Sequence, residues 1–277
     1  MVPRYRNKRN VLIFFLPVLI GLITYLLLVP NISRLKKENP QKTSFMKYRE
    51  IEWKREGKKY RIQQKWVPLS HISPYLIKAV LIAEDDKFWS HEGFDYEAIQ
   101  KALEKDIKAK KFKLGGSTIS QQLAKNLYLS PSKNPVRKIR EAIITWRMEM
   151  RLKKKRILEL YLNVAEWGDQ GIFGIEMASR HYYGKSAYEL SPEEAAQLAA
   201  VLPNPRKYNP LVESRYVVHR SNLIYSIMIR RGIVIPEYEE VTEEDEKDSA
   251  REAREIKPLR ESPVETPSDE AKKGTQY

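Results

Sequence analysis

The chain has 277 residues, which is enough for one substantial domain with extra segments and does not require two domains. It contains no cysteine, so structural disulfides and cysteine-ligated metal sites are excluded, although an oxidising compartment is not. Its net charge of +14 is uneven: residues 236–277 hold fourteen acids and seven bases, and subtracting their −7 leaves +21 for residues 1–235. The strong positive charge of residues 1–235 favours partners that carry phosphate, such as nucleic acid, anionic lipid or a phosphorylated substrate.

The first element is an apolar segment, residues 11–30, preceded by a basic N-terminus at residues 1–10. Its twenty uncharged, mostly apolar residues can cross a bilayer core of roughly 30 Å as one helix. Because no small-residue cleavage site follows, we expect an uncleaved transmembrane anchor rather than a signal peptide or a buried core helix. Basic residues lie on both sides of the span, but the leading cluster favours a cytoplasmic N-terminus, so we expect the body outside the cytoplasm.

The rest of the chain predicts a mainly helical body, residues 51–235, behind a polar, basic linker at 31–50. Residues 51–68 alternate in the manner of a short hairpin with a turn near Gly57. Ser73-Pro74 is typical of an N-cap with proline in the first turn of a helix that runs towards Glu84. A loop with several glycines is predicted at 168–174, after the helix at 155–164. The tail at 236–277 is charged and poor in apolar residues, so we expect it to be disordered. Further helices are predicted at 94–113, 118–127, 135–151, 155–164, from Ser191-Pro192 onwards, and at 216–231.

Two strings are rich in chemistry-bearing residues, and the first is AEDDKFWSHEG at 83–93. Glu84 ends an apolar helix close to Phe88 and Trp89, so partial desolvation would favour its use as a general base. The structural alternative is a solvated acidic helix end, and His91 has the alternative of a hydrogen bond within a turn. Four histidines without paired ligand spacing do not indicate a zinc site.

The second string is GGSTISQQLAKN, residues 115–126. Glycines followed by Ser117 and Thr118 can expose backbone N–H groups at a helix start, which is a ready anion site. Amides and a lysine then project from the first turns, with Gln121 and Lys125 on one face at i,i+4 and Gln122 and Asn126 beside them. A Gly-Ser-Thr sequence alone would be an ordinary N-cap; the added lysine and the upstream carboxylate make an anion-binding function an equal alternative.

A basic cluster with one acid follows, formed by Lys133, Arg137, Lys138, Arg140 and Glu141. On structural grounds Glu141 would pair with Arg137 at i,i+4 on a solvated helix. We interpret Glu159 as a buried polar tie between helices. The S-x-x-K match at 130–133 lacks the partner motifs of penicillin-binding acyl enzymes, and we treat it as chance.

Five strings in order resemble the peptidoglycan glycosyltransferase family, the module also found in bifunctional penicillin-binding proteins. They are EDDKFWSHEG at 84–93, GSTISQQLAKN at 116–126, RKIRE at 137–141, KKRILELYLN at 154–163 and AAQLAAVLPNPRKYNP at 195–210. The resemblance covers about residues 60–235. The string YLNVAEWGDQGIFG at 161–174, the short length and the missing transpeptidase signatures resemble the monofunctional, membrane-anchored type.

This resemblance implies a lysozyme-like, mainly helical fold with a small jaw region beside the membrane. It implies polymerisation of lipid II: Glu84 would take the proton from the acceptor's 4-hydroxyl, and polyprenyl diphosphate would leave the growing chain with inversion. Glu141 would belong to the catalytic residues, either directly or through a divalent cation (Mg²⁺ or Mn²⁺) on the diphosphate. Some relatives carry arginine where this chain has Lys133. Lysine keeps the positive charge but cannot make the two parallel hydrogen bonds of a guanidinium. Substrate and diphosphate binding would fall to Ser117, Gln121, Gln122, Lys125, Asn126, Lys133 and Arg137.

The implied partners are lipid II, the growing glycan strand and the bacterial inner membrane, with other cell-wall synthesis or division proteins as further candidates and no nucleic acid. Two rival hypotheses remain. A lytic enzyme on the same type of fold needs a general acid at the glycosidic oxygen and would gain little from the lysine-rich motifs. A membrane-tethered scaffold that binds anionic lipid or nucleic acid leaves Glu84 and the paired glutamines unexplained.

Overall fold

The computed structural model describes residues 16–17, 20–21, 23–25, 28, 30–109, 116–132 and 134–235. The chain divides into two units, Met1–Ile235 and Pro236–Tyr277, and the second lies entirely outside the described residues, as does the tail predicted there. Most of the predicted anchor at 11–30 and the whole basic N-terminus at 1–10 also lie outside them. Within the described part of the chain, no helix is both long and apolar enough to cross a membrane.

The described part of the body is mainly helical, as predicted, with two very short strands and two single 3-10 turns, Ile32–Lys36 and Leu69–His71. The helices and strands are α1 (Ser44–Arg55), β1 (Gln63–Gln64), α2 (Pro74–Glu84), α3 (Tyr96–Ala109), α4 (Ile119–Tyr128), α5 (Pro135–Arg151), α6 (Lys154–Val164), β2 (Ile172–Phe173), α7 (Ile175–Tyr183), α8 (Pro192–Val201) and α9 (Arg215–Arg230).

The predicted hairpin at 51–68 is wrong, because most of its first arm is the end of helix α1. Thr43 caps this helix by accepting a hydrogen bond from the Met46 backbone N–H. Met46 and Trp53, seven residues apart, are both buried, whereas Ile51 is 53% exposed. Ile51 and Trp53, whose alternate spacing suggested a strand, therefore lie on different faces of a helix, and Trp53 shares the buried face with Met46. Helix α1 and the first 3-10 turn also occupy much of the segment expected as a linker.

The only strand pairing in the described residues joins β1 and β2 in parallel, with Gln63 opposite Ile172. The pairing needs glycine at position 171: its φ is +90°, and an added Cβ would lie 2.1 Å from the Arg61 carbonyl oxygen. The Gly171 carbonyl accepts a hydrogen bond from the Gln63 N–H at 2.8 Å. This close approach links the N-terminal segment to the loop before α7.

Two helix groups surround one large apolar core. Helices α2, α8 and α9 pack against one another, while α4 packs against α1, α5 and α6. Leu76 and Val80 from the first group and Ile119 and Leu123 from the second are fully buried in the same cluster. The carboxyl end of α2 and the amino-terminal half of α4 are thereby brought together, which positions the first two sequence motifs beside each other.

The other helix predictions are confirmed to within a few residues at 135–151, 155–164 and 216–231, and from Ser191 onwards. Helix α7 was not predicted; it begins after Gly174 and ends at a left-handed Gly184. Ser73 lies at the N-cap of α2, but its hydroxyl makes no cap and donates instead to the Leu190 carbonyl at 2.9 Å. Proline at the first helical position already removes one unpaired N–H, which leaves this hydroxyl free to tie α2 to the segment before α8.

Candidate functional site

Glu84 is the last residue of α2, and a chain of side chains from α4 and α6 holds its carboxylate. The Gln122 carboxamide donates to Glu84 Oε2 at 2.8 Å. The Tyr161 hydroxyl in turn donates to Gln122 Oε1 at 3.1 Å, which fixes the orientation of that amide. Because Tyr161 is buried, its pKa is raised and its hydroxyl stays a donor. The sequence predicted the importance of Glu84 and Gln122 but not of Tyr161.

Burial dominates the electrostatics of Glu84 and raises the pKa of its carboxyl, while the Gln122 hydrogen bond and the positive charges of Arg220 and Lys125 oppose that rise. The side chain is 11% exposed, so the predicted alternative of a solvated helix end does not describe it. A buried carboxylate with one oxygen bound by an uncharged amide retains lone pairs that can accept a proton. This environment suits a general base.

Asp85 does not share this role, because its carboxylate builds the frame around Glu84. One oxygen accepts the Ile119 backbone N–H at 2.8 Å, at the positive end of α4. The other accepts from His91 Nε2 at 2.8 Å, while His91 Nδ1 accepts the Gly93 N–H at 3.0 Å. These bonds assign the imidazole proton to Nε2. His91 therefore has the structural role that was its alternative in the sequence.

The start of α4 is a capping box made by Thr118 and Gln121. The Thr118 Oγ1 accepts the Gln121 N–H at 3.2 Å, and the Gln121 Oε1 accepts the Thr118 N–H at 3.0 Å. The Thr118 hydroxyl also donates to the Gly93 carbonyl at 2.7 Å, which joins the two motifs. Gln121, predicted to bind substrate, is 5% exposed and has its amide oxygen engaged in this cap. The structure places Gln121 as a support of the helix start.

Three of the predicted binding residues, Gln122, Lys125 and Asn126, line one open cleft. Burial lowers the pKa of the Lys125 ammonium, and the carboxylate of Glu141 opposes that shift. Among the described residues, the ammonium makes no hydrogen bond and no ion pair within bonding distance. Glu84 is not part of the cleft lining; Gln122 connects its carboxylate to the cleft. Other polar residues along the cleft are Arg49, Tyr161, Glu166, Asn204 and Arg206.

A second cluster lies at the amino-terminal half of α5. Glu141 is 2% exposed and accepts from Arg137 Nη1 at 2.5 Å and from the Lys138 ammonium. The same ammonium donates to Ser117 Oγ at 3.1 Å. The pairing of Glu141 with Arg137 was one predicted alternative, but the carboxylate is buried rather than solvated. Lys133, predicted beside these residues, lies outside the described part of the chain.

The described residues contain no group of three His, Cys, Asp or Glu side chains that could hold a metal ion. Both oxygens of Glu141 already accept hydrogen bonds from cationic side chains. A divalent cation at Glu141 would lie beside the positive charges of Arg137 and Lys138, and no second carboxylate of the described residues would share it, so these residues do not form a ready cation site.

Sequence reasoning missed the ion pairs at the far end of the cleft. Arg49 donates to both oxygens of Glu166, at 2.8 and 2.7 Å, and also to Glu52 at 2.8 Å. Arg206 binds the same Glu52 at 2.9 Å, so α1 is tied to two segments of the cleft wall. No local spacing signals these pairs, since 117 residues separate Arg49 from Glu166. Glu159, which we interpreted from the sequence as a polar tie between helices, does make a tertiary hydrogen bond. It accepts the Leu69 N–H at 3.1 Å and so ties α6 to a 3-10 turn rather than to another α-helix.

Comparison with known proteins places most of the body in one family. A sequence model of the family described as Transglycosylase matches residues 51–229. A protein named biosynthetic peptidoglycan transglycosylase from Dechloromonas aromatica is 54% identical over 171 residues, which cover 62% of this chain and 74% of the relative. Proteins with the same name from Nitrosospira multiformis and Azoarcus sp. are 47% and 49% identical over 195 and 196 residues, 70% and 71% of this chain and 84% of each relative.

Proposed function

Because the chain belongs to the transglycosylase family, we propose that it polymerises the glycan strands of peptidoglycan from lipid II. The resemblance that the sequence motifs indicated is confirmed, and the chain is an enzyme, a peptidoglycan glycosyltransferase. In the proposed reaction, the growing strand is the donor and carries a polyprenyl diphosphate at its anomeric carbon. Lipid II is the acceptor, and its sugar 4-hydroxyl attacks that carbon with inversion.

In this reaction Glu84 takes the proton of the attacking hydroxyl. Its carboxylate is partly withdrawn from water, which makes it a stronger base than a solvated glutamate. Gln122 donates to Oε2 and leaves Oε1 for the incoming proton, while Tyr161 keeps the amide turned in that direction. The oxygen–carbon bond forms as the carbon–diphosphate bond breaks, and the proton ends on Glu84. An inverting transfer of this kind needs one base and no covalent enzyme intermediate.

The leaving group determines the second requirement, because negative charge grows on the diphosphate as the bond breaks. Lys125 lies in the cleft with no described partner, so its charge is available to this group without the loss of an existing ion pair. Arg137 and Lys138 form a second cationic group, whose charge Glu141 partly balances. We assign Ser117, Asn126, Lys133 and Arg137 to substrate binding, and Glu141 to the alignment of these cations.

The observation that carries the proposal is the pairing of two groups by one helix. Gln122 and Lys125 are three residues apart on α4, so the amide that holds Glu84 and the Lys125 ammonium face the same side of the helix. A desolvated cation in the cleft and a buried base joined to that cleft through Gln122 match a transfer whose leaving group is a diphosphate. A lytic cleavage would instead require a general acid at the glycosidic oxygen; Glu141 is not among the residues that line the cleft, and its carboxylate accepts from Arg137 and Lys138.

The direct test is to incubate the purified full-length chain with lipid II and, separately, with finished peptidoglycan. We expect glycan polymer and free polyprenyl diphosphate from lipid II, and no soluble fragments from peptidoglycan. The Glu84→Gln variant serves as the control for a contaminating polymerase. Release of fragments from peptidoglycan without polymerisation of lipid II would support the lytic alternative, and inactivity on both substrates would support the scaffold.

The proposed function also has consequences for the type of fold and for the membrane anchor. We propose a lysozyme-like arrangement with a small jaw region, and an anchor at residues 11–30 that places the body on the outer side of the bacterial inner membrane. The long uncharged span and the lipid-bound substrate support this placement. A topology reporter fused after Tyr277 is expected to be active only on the periplasmic or extracellular side; reporter activity in the cytoplasm would contradict the topology.

A further inference from the structure

Arg220 of α9 reaches the carboxyl end of α2 next to the candidate base, and no motif in the sequence pointed to it. Its Nη2 donates to the Ala83 carbonyl at 3.0 Å and lies 3.5 Å from Glu84 Oε1. Gln122 occupies the other oxygen of the same carboxylate. The guanidinium therefore lies beside the oxygen that the proposed mechanism uses to accept a proton.

The guanidinium of Arg220 uses only part of its hydrogen-bonding capacity. Its Nη2 donates to the Ala83 carbonyl, while its buried Nε has no hydrogen-bond partner among the described residues, as is also true of Arg140 and Arg206. What distinguishes Arg220 is the carboxylate oxygen that lies 3.5 Å from its Nη2. The side chain is 29% exposed, so it is partly open to solvent next to a carboxylate that is 11% exposed.

We propose that Arg220 is a positioning residue that holds Glu84 ionised and oriented for proton abstraction. The inference deepens the proposed function, since it rests on Glu84 as the base. An arginine suits this position because it cannot lose its proton near neutral pH and so cannot compete with Glu84 for the substrate's proton. The 3.5 Å separation gives charge stabilisation and leaves the Oε1 lone pairs free for the substrate.

Electrostatics support the same assignment when every charged neighbour is counted. Burial raises the pKa of Glu84, and the negative charge of Asp85 adds to that rise; the Gln122 hydrogen bond and the charges of Arg220 and Lys125 lower it. Tyr161, the titratable neighbour from α6, is uncharged because its own pKa is raised by burial. Removal of Arg220 therefore raises the pKa of Glu84 further, and a larger share of Glu84 is protonated at any pH near the transition.

The test measures the pH profile of lipid II polymerisation for the full-length protein and its Arg220→Gln and Arg220→Lys variants. We expect the acid limb of Arg220→Gln to move to higher pH, so that its rate loss is severalfold larger at low pH than at high pH. Lysine keeps the charge, so Arg220→Lys should return the acid limb towards the wild-type position. Arg231→Gln is the matched control, because Arg231 forms an exposed ion pair with Asp86 two residues beyond Glu84. Its profile should match that of the wild type.

A second measurement does not depend on activity. Infrared difference spectroscopy can follow the protonation of Glu84 in each variant, with Glu84→Gln to assign its carboxyl band. We expect this titration to move to higher pH in Arg220→Gln. An equal rate loss at every pH with an unmoved titration would overturn the proposal and leave Arg220 as a helix tie. If Glu84→Gln kept its turnover, Glu84 would fail as the base, whereas the titration would still decide whether Arg220 holds it ionised.

Discussion

At the scale of single residues, the proposed chemistry depends on how Glu84 is surrounded rather than on its presence. Asp85 and Asp86 are its immediate neighbours in the chain, yet one is bound to a helix start and an imidazole and the other to a surface arginine. Only Glu84 combines burial, an uncharged donor and a raised pKa. Three adjacent carboxyl groups thus have three different environments.

Glu84→Gln is expected to lower lipid II polymerisation by roughly 10²–10⁴-fold, because the amide keeps the shape of the side chain and loses its basicity. The measurement is initial rate at saturating lipid II, with circular dichroism to show that the fold is unchanged. For the wild type, the rate should rise with pH through the raised pKa of Glu84, since only the ionised carboxylate accepts a proton. A folded variant that retained more than about a tenth of the wild-type rate would contradict the assignment of Glu84 as base.

The sequence predicted the site residues whose chemistry is local and missed the roles of Tyr161, although it lies within the motif at 154–163, and of Arg220, which lies in none of the motifs. Glu84, Gln122 and Lys125 lie within two strings, and their chemistry can be read from residue type and helical spacing. Tyr161 reaches the Glu84 carboxylate only through Gln122, and Arg220 lies 3.5 Å from it; both belong to helices that are distant from α2 in the sequence. Their roles depend on tertiary packing, and a single sequence contains no local signal for such contacts.

At the scale of elements, the site is held by the junction between the end of α2 and the start of α4. Asp85 joins them, since it follows the last residue of α2 and accepts the first backbone N–H of α4. The hydroxyl of Thr118 makes the second link by donating to the Gly93 carbonyl. Glu84 and Gln122 are each one turn or less from these bonds, so the junction sets their separation.

Asp85→Ala is expected to destabilise the protein by about 2–3 kcal/mol, because it leaves the Ile119 N–H and His91 without their charged acceptor. Chemical denaturation followed by tryptophan fluorescence would measure the change. The matched control is Asp86→Ala, which removes an exposed ion pair with Arg231 and should cost less than about 1 kcal/mol. Equal effects of the two substitutions would show that the junction does not depend on Asp85.

Helices whose starts are marked by proline were predicted correctly. Segments whose secondary structure depends on which side chains are buried were not. Proline and serine at the start of α8 and a proline in the first turn of α5 marked those helices correctly. Residues 51–55 carry apolar residues at the i,i+2 spacing of a strand, but the structure buries Trp53 with Met46, which lies seven residues earlier on the same helical face, and with Phe173, while Ile51 is exposed. Helix α7 lies between glycines that indicate a loop, so its existence depends on packing.

At the scale of the whole molecule, charge is divided between a basic body and an acidic tail. Lys125 of α4 lines the cleft, and Arg137 and Lys138 of α5 form a cationic cluster around Glu141; in the proposed reaction these charges serve the diphosphate. The family match ends at residue 229, close to the end of α9, and the acidic tail lies beyond it. Catalysis is therefore assigned to the body.

Truncation after Ile235 is expected to leave lipid II turnover within about twofold of the full-length rate, because the tail has too little apolar content to join a core. Turnover and thermal stability of the truncated and full-length chains, compared in the same detergent, test this expectation. A truncated protein with unchanged melting behaviour and lost turnover would place part of the tail in the active site.

In the proposed glycosyl transfer a diphosphate leaves the donor, and Lys125 is the cation of the cleft that would meet its growing charge. Lys125→Ala should lower turnover of lipid II by roughly 10²–10³-fold, comparable to the loss of one electrostatic donor in an active site. Its affinity for lipid II should change much less, because the charge on the diphosphate grows during the reaction. Lys78→Ala, which removes an exposed lysine of α2, is the control for the loss of one positive charge.

The decisive measurement is therefore turnover and lipid II affinity for Lys125→Ala, side by side with the wild type and the Lys78→Ala control. We expect a large loss of turnover with near-normal affinity for lipid II. Unchanged turnover would contradict it, since Lys125 would then be an ordinary helix lysine and the cleft would not stabilise a departing diphosphate.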